Sequence, residues 1–507
     1  MNGIKCHILS IEGDFLLGFW QCHADYQQHT VSALSLVAKI MPYALLEYER
    51  SISKLYILDL DPLKTLIEPM YSTTGRPSIN QPEIFRSLIL MNDLGFSLNE
   101  WLVKLSRNPV LQLACGFSGK LPGVASYYDL VSRIVRLDEK PRIKPRKQKS
   151  KKKYGKEKLP PKHPGVVQRL VDRILMGRRF PLRPECLLQE IFAKVCVQPS
   201  IDLGLVPLSL SISGDGTCIQ TGASPFGRKT CGCSEFSCGC PRRFSDLNAT
   251  WGWDSHNERY FYGYTGYFIS TYNASQKLDL PLYLRIVDAK RHDSISAVIA
   301  LAEFRDLYPN LPVDTFISDS ASDNYATYNL LDKWNIGAVI ALSKTNDGNL
   351  TFPQCSVDKH GVPLCPGGNT MVNWGLCGSG GNSRRKWRCP RVLGRCEPCD
   401  SCANCSPSPY GRVFYTKPEW DRRIFTRVIR GSEQWKSIMR ERTAAERVNN
   451  RILHHYGIEN SKVRGKKKIS FFATIAGFNI HLDAQLAFLK AGSLFDFGVI
   501  FGIKSAP

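Results

Sequence analysis

A basic, proline-containing stretch at residues 136–162 limits how the chain can fold. Of its 27 residues, 13 are Lys or Arg, three are acidic and four are Pro. Repulsion between like charges and the rigidity of proline both oppose a packed structure. The sequence therefore predicts a mobile basic linker, assigned to residues 136–164.

Composition places the chain as a whole among globular proteins. Its 507 residues are 43% hydrophobic and 22% charged, with a net charge of +22, which excludes a mostly disordered chain. The length predicts two or three domains. Because it shows no secretory leader and no uninterrupted apolar run of about 18 residues, we expect a cytoplasmic protein that does not enter a membrane.

The linker carries the most concentrated positive charge. Clustered cations neutralise DNA phosphates and release counterions, so the linker lysines are candidate DNA contacts. These candidates are Lys147, Lys151, Lys152 and Lys153. A solvated or localisation-type basic tract with no role on DNA would have the same composition, and both interpretations stay open at this point.

Helical patterns lie on both sides of the linker. In residues 61–135, apolar residues recur at helical spacing, and Ser97 with Glu100 makes a capping box. This region is predicted to be a helix-turn-helix-like DNA-binding domain, although any small helical bundle would have the same pattern. Residues 165–207 are predicted to be a helical connection, and residues 1–60 contain no motif and stay unassigned.

From residue 208 onward the pattern changes to strands. Alternating apolar residues over Leu208–Ile212 predict the first strand, and later apolar runs predict further strands with helices between them. This order describes an α/β domain built on a mixed sheet with flanking helices. Residues 208–349 are assigned to its first part and residues 413–507 to its last part, with a Cys-rich insertion at 350–412 between them.

Three carboxylates are the candidate catalytic acids. Asp215 and Asp319 are each predicted to lie where an apolar strand stops, and Glu446 lies on a helix predicted over Ser437–Tyr456. Polar positions on a helix are usually only its wet side, and Glu441 competes with Glu446 for the role. Three carboxylates suit two divalent cations, Mg²⁺ or Mn²⁺, about 4 Å apart, the arrangement that phosphoryl transfer by in-line displacement uses.

Several segments in order carry a resemblance to a known family. They are STTGRPSINQPEIFRSLILM upstream, ISGDGTCIQTGAS around Asp215, FISDSASDNYATYNLL around Asp319 and RERTAAERVNNRI around Glu446. Together they resemble the bacterial insertion-sequence transposases, which carry a DDE domain on an RNase H-like fold. The resemblance extends over residues 60–490, interrupted by the linker and the Cys-rich stretch.

The resemblance implies roles for individual residues. Asp215, Asp319 and Glu446 match the catalytic, magnesium-binding acids of the family. Arg442, one turn before the glutamate, matches an arginine expected to contact DNA phosphate near the site, and Arg447 is a further DNA-binding candidate.

Other positions are less decisive. Met439 and Leu453 stand where the family often has a tyrosine and a lysine. Asp323 is expected to have a supporting role. His292 and Asp293 match a recurring turn, which could position substrate or could be purely structural.

The resemblance also implies an activity. We expect a DDE transposase that binds transposon ends, hydrolyses phosphodiester bonds and joins the 3'-hydroxyl end to target DNA. A homodimer or higher assembly on DNA, associated with the nucleoid, is expected because two DNA ends must meet. The alternatives are a catalytically silent or domesticated DNA-binding protein, and an RNase H-like nuclease without strand transfer.

The first of two cysteine groups is a strong metal-site candidate. Cys396, Cys399, Cys402 and Cys405 are spaced C-x2-C-x2-C-x2-C, with Cys389 nearby. Thiolates at this spacing favour structural zinc, which would organise an insertion with few apolar residues. An iron–sulfur cluster is the competing interpretation, although the last spacing departs from that of bacterial ferredoxins.

The second group, CGCSEFSCGC, is a weaker zinc candidate. It contains Cys231, Cys233, Cys238 and Cys240, and its C-x-C-x4-C-x-C spacing is tighter than in the usual zinc sites. Reduced thiols without metal are the alternative for both groups.

Overall fold

The computed structural model describes most of the chain. The described residues are 17–137, 143–144, 164–181, 183, 185–235, 237–255, 257–343, 350–352, 355–378, 384–397, 405–459 and 463–503. Several candidates from the sequence lie outside them, namely Lys147, Lys151, Lys152, Lys153, Cys399 and Cys402.

Helices fill the region before the linker. They are α1 (His23–Ile40), α2 (Pro42–Leu46), α3 (Glu49–Ile57), α4 (Asp61–Ile67), α5 (Gln81–Asp93), α6 (Leu98–Arg107), α7 (Pro109–Cys115) and α8 (Val124–Ile134). The predicted capping box is confirmed, since Ser97 and Glu100 exchange side-chain-to-backbone hydrogen bonds at the start of α6. Helices also occupy much of the N-terminal segment that the sequence left unassigned.

The strands form one large sheet and three small ones. They are β1 (Ile143–Lys144), β2 (Leu210–Gln220), β3 (Arg228–Lys229), β4 (Arg242–Arg243), β5 (Thr250–Asp254), β6 (Arg259–Asn273), β7 (Leu278–Asp288), β8 (Val313–Ser318), β9 (Gly337–Ile340), β10 (Leu350–Thr351), β11 (Ser356–Val357), β12 (Val372–Cys377), β13 (Arg384–Arg388) and β14 (Val413–Thr416). The large sheet runs β5–β6–β2–β8–β9, and β7 also pairs with β6. Because β8 is parallel to β2 and β9 while the other pairs are antiparallel, the predicted α/β fold with a mixed sheet is confirmed.

Helices after the linker pack around this sheet. They are α9 (Val166–Leu175), α10 (Glu185–Phe192), α11 (Gln198–Asp202), α12 (Asp293–Leu307), α13 (Tyr325–Lys333), α14 (Glu433–Arg440), α15 (Thr443–Asn450), α16 (Lys466–Ala491) and α17 (Phe497–Phe501). Helix α16 is apolar nearly all round and contacts both α5 and β7, as expected of a helix inside a core. One hydrophobic core therefore contains the N-terminal helices, α16 and the large sheet.

Two boundaries differ from the sequence prediction. The prediction that Asp215 lies where its strand ends is wrong, because β2 continues to Gln220 and pairs with the long strand β6 along that length. The helix predicted over Ser437–Tyr456 is also interrupted, since α14 ends at Arg440 and α15 begins at Thr443. A π-helical turn then follows α15, and such turns are common at functional sites.

The Cys-rich insertion has its own small sheet. Strands β12, β13 and β14 pair antiparallel and enclose a separate small cluster with Trp387 buried in it. Among the described residues, no helix is both long and apolar enough to cross a membrane.

Candidate active site

Asp215 and Asp319 come from neighbouring parallel strands. Asp215 lies in β2, and Asp319 directly follows β8, which pairs with β2 up to Ser213 and Ile317. Asp215 and Asp319 are each two residues beyond this last pair. At its own position, Asp319 caps the short turn after β8, where its Oδ1 accepts a hydrogen bond of 3.0 Å from the Ala321 amide.

The pKa of Asp215 responds to the charges of the other acids. Burial raises the pKa of Asp215 to about 7, and the negative charge of Asp319 adds to the rise. Asp293 and Glu446 act in the same direction, whereas Arg442 opposes them. A desolvated carboxylate among other carboxylates is stabilised by a nearby cation, which a divalent ion would supply.

Glu446 reaches this group from helix α15. Its side chain is 49% exposed and pairs with Arg442, one turn earlier. The competitor Glu441 precedes α15 and lies beside Ser211, four residues before Asp215 in β2. The charge of Glu446 raises the pKa of Asp215, whereas the Glu441 side chain hydrogen-bonds with Ser211.

Two further residues lie beside Asp215 or its neighbour Gly216, and the sequence did not predict that they would lie there. The Asn449 side chain donates a hydrogen bond of 2.9 Å from Nδ2 to Asp215 Oδ2. Asp293 is the first residue of α12, and its carboxylate lies against Gly216; burial, followed by the charge of Asp319, raises the pKa of Asp293 to about 6. In the sequence, the helical spacing from Glu446 was the feature that could have indicated Asn449. The His292-Asp293 turn was the feature that could have indicated Asp293.

The remaining acidic and turn candidates make structural contacts. Asp323 forms a buried ion pair with Arg423 at 2.6 Å; burial raises its pKa, but hydrogen bonds from Arg423 and Ser343 bring that pKa below the usual value. His292 caps the N-terminus of α12 and accepts a hydrogen bond from the Ser294 amide. These contacts fix the loops that surround the site.

Arg447 lies on another side of α15. It forms a bidentate pair with Asp279 in β7, at 2.5 and 2.7 Å, and its side chain is about half exposed. This pair ties α15 to the sheet next to the site.

The cysteine group that was the weaker zinc candidate comes together in the described part of the chain. Strands β3 and β4 form a hairpin whose loop carries Cys231, Cys233, Cys238 and Cys240, and their four Sγ atoms all lie within 4.8 Å of one another. Hydrogen bonds from the backbone of Cys233 and the side chain of Cys238 lower the pKa of Cys231 to about 7, which favours the thiolate that binds metals. Within the described ranges, no other set of His, Cys, Asp or Glu residues meets the same distance limit, the three candidate catalytic acids included.

The stronger cysteine run is only partly described. Cys389, Cys396 and Cys405 line a cavity of about 110 Å³ together with Cys365, whereas Cys399 and Cys402 lie outside the described residues. The choice between zinc and an iron–sulfur cluster for this run stays a prediction.

Comparison with known protein families gives two matches. A family described as Transposase DDE domain matches residues 364–482, and one described as Transposase domain (DUF772) matches residues 49–128. The first range contains Glu446, while Asp215 and Asp319 precede it. Together the two matches support an insertion-sequence DDE transposase.

Other comparisons add little. A search of curated proteins gives no match. Among solved structures, the Drosophila P element transposase strand transfer complex is 9% identical to this chain, with 85% of each chain covered and a TM-score of 0.19. A likeness this weak carries no argument about fold or function.

Proposed function

We propose that this chain is a DDE transposase that binds transposon ends, cleaves phosphodiester bonds by hydrolysis and joins the 3'-hydroxyl to target DNA. The observation that supports the proposal is the position of Asp215 and Asp319 on two adjacent parallel strands, with Glu446 on α15 near enough for its charge to raise the pKa of Asp215. The strand order, with an antiparallel hairpin beside parallel strands, is the basis for proposing an RNase H-like fold.

The three acids suit a pair of hard divalent cations, Mg²⁺ or Mn²⁺. Carboxylate oxygens are the ligands that these ions prefer. Burial, and after it the charge of Asp319, raises the pKa of Asp215, and a bound cation would stabilise the ionised form. When bound, the cations supply an activated nucleophile and stabilise the leaving oxygen. The chain itself contributes the position of Asp215 in a rigid strand and of Glu446 on a helix held by the Arg447–Asp279 pair.

Basic residues near the acids fit a DNA substrate. Arg442 is about one quarter exposed and pairs with Glu446, and its exposed part is available to a phosphate oxygen. Arg447 and the lysines of the linker would extend this contact by neutralising phosphates. Since strand transfer needs two ends, a homodimer or larger assembly on DNA belongs to the proposal.

We also propose that the β3–β4 hairpin binds structural zinc. Four thiols within 4.8 Å match the Cys₄ donor set of structural zinc sites, and the loop has few apolar residues to hold it otherwise. The Cys396–Cys405 run is proposed as a further zinc site.

The test uses a duplex that carries a transposon end, taken from an inverted repeat identified on either side of the coding sequence. We expect Asp215→Asn, Asp319→Asn and Glu446→Gln each to slow Mg²⁺-dependent strand cleavage about a thousand-fold, because several kcal/mol of transition-state stabilisation are lost. Binding to the same duplex should change little. Cleavage retained by a variant would remove that residue from the site.

The products distinguish the alternatives. Joined products on added target DNA are expected; cleavage without joining would indicate a nuclease, and binding without either step would indicate a silent DNA-binding protein.

A further inference from the structure

Asn449 lies between the glutamate helix and the aspartate strand. It is three residues after Glu446 in α15, so the two side chains are neighbours on the helix surface, about one turn apart. Its Nδ2 is 2.9 Å from Asp215 Oδ2, and the residue is only 7% exposed. The same helix therefore brings an acid and an amide to the site.

The other side of this amide is unpaired. Within the described part of the chain, no group forms a hydrogen bond with Asn449 Oδ1, although the atom is buried. An unpaired buried acceptor costs about 1–3 kcal/mol, and such groups in folded proteins usually have a partner when the full set of ligands is present. The oxygen is thus free to accept a ligand that arrives with the substrate or the cation.

The orientation of the amide is fixed by its neighbour. Turning the group over would place Oδ1 against the Asp215 carboxylate, where two acceptors repel each other. When Asp215 is ionised, as a carboxylate that binds a cation is, the N–H faces Asp215 and leaves Oδ1 of the same amide for another partner.

We infer that Asn449 is a positioning residue of the site, which holds Asp215 through its N–H and offers Oδ1 to the divalent cation or to a water molecule on that cation. The inference rests on the proposed function for the nature of the cation. Amide oxygens are ordinary ligands of such ions, and removing a group that orients a metal ligand typically weakens metal binding 10- to 100-fold.

Calorimetric titration of the full chain with Mn²⁺, without DNA, tests the inference apart from activity. We expect Asn449→Ala to bind Mn²⁺ about ten-fold more weakly than the wild type. Asn449→Asp retains an oxygen donor and should bind at least as tightly as the wild type, although it loses the N–H that holds Asp215. The matched control is Asn450→Ala, because Asn450 is the next residue of α15 and its side chain is exposed.

The outcomes separate this inference from the proposed function. If the role of Asn449 is purely structural, Asn449→Ala and Asn449→Asp should both bind Mn²⁺ more weakly than the wild type, and that result would overturn the inference. Equal Mn²⁺ affinity of the wild type and Asn449→Ala would also overturn it. The proposed function is tested separately, by Mn²⁺ binding of Asp215→Asn and by strand cleavage of the wild type. If Asp215→Asn does not bind Mn²⁺ and the wild type cleaves DNA, the proposed function stands whatever the result for Asn449. Circular dichroism and the unfolding temperature without Mn²⁺ identify any variant that has not folded, and Asn449→Asp then decides the result.

Discussion

At the residue scale, glycines beside Asp215 let other side chains approach the strand. A Cβ atom at Gly216 would lie 2.5 Å from Asp293 Oδ1, and one at Gly214 would overlap the Tyr267 hydroxyl. Neither glycine has a positive φ, so the backbone conformation does not require glycine. What requires glycine at these two positions is the space that the neighbouring side chains occupy. The strand was predicted to stop at Asp215, whereas it continues past both glycines, and their lack of a side chain permits this close packing.

The substitution Gly216→Ala tests this packing. We expect it to lower the free energy of unfolding by about 1–3 kcal/mol, because the new methyl group displaces the Asp293 carboxylate. The midpoint of urea unfolding measures the effect. The control is Gly222→Ala, where no heavy atom lies within 4 Å of the new Cβ.

A double substitution identifies the cause of that loss. Gly216→Ala combined with Asp293→Ala should be more stable than the sum of the single effects predicts, since the overlap is gone. Additive effects would show that the two residues do not meet.

At the element scale, hairpin geometry decides which cysteines converge. Strands β3 and β4 pair Arg228 with Arg243 and Lys229 with Arg242, so the two C-x-C segments of the loop face each other. The sulfur atoms of Cys231 and Cys238 are 3.5 Å apart. The sequence contained both segments, but spacing rules drawn from C-x2-C zinc sites underrated them because the strands that bring them together are only two residues long.

Removing one thiol tests the hairpin site. Cys238→Ser should reduce the zinc content of the purified protein by about one atom per chain, since a Cys₄ site needs its complete donor set. Elemental analysis by mass spectrometry gives the count. Cys218→Ser, which changes a thiol on β2 outside the group, should leave the zinc content unchanged, and an unchanged content in Cys238→Ser would exclude the site.

The sequence predicted the long elements better than the boundaries at the site. The runs that became β6, β7 and β8 were predicted because they are rich in aromatic and β-branched residues. The break between α14 and α15 was missed, since no glycine or proline marks it. The approach of Asn449 to Asp215 depends on how α15 packs across the sheet, which is a tertiary contact that residue patterns along the chain do not encode.

At the scale of the whole molecule, the basic linker does not divide the core. Helix α16 lies between α5 and β7, and Lys54 of α3 joins this contact with only 1% of its side chain exposed. Its Nζ lies 2.5 Å from Asp93 and 2.7 Å from Asp483. Patterns along the sequence do not indicate the contact of Lys54 with Asp483, because these two residues are more than 400 positions apart.

Removing Lys54 tests whether the two parts of the chain depend on each other. Lys54→Ala should lower the free energy of unfolding by about 3–5 kcal/mol, since it leaves the nearly buried Asp93 without its cation and removes the buried partner of Asp483. The control, Arg50→Ala, removes a partner of Asp483 that is 68% exposed and should cost at most about 1 kcal/mol. Equal small losses in urea unfolding would show that the contact does not join the two parts.

The pH dependence of the same pair has a definite sign. Burial raises the pKa of Asp483, but Lys54 and Arg50 bring it below the usual value. A carboxylate with a lowered pKa stabilises the fold above its unfolded pKa, and this stabilisation is lost as the pH falls through the folded pKa. The acid-side loss of stability should therefore be smaller in Lys54→Ala than in the wild type.

The most direct test of the proposed active site compares two glutamates on one short segment. Mg²⁺-dependent cleavage of the inverted-repeat duplex is measured for Glu446→Gln and Glu441→Gln side by side. Cleavage should nearly vanish in Glu446→Gln and persist in Glu441→Gln, since Glu446 is the proposed third acid and its charge acts on Asp215, whereas Glu441 hydrogen-bonds with Ser211. Normal cleavage by Glu446→Gln would contradict the assignment of the three acids to one site.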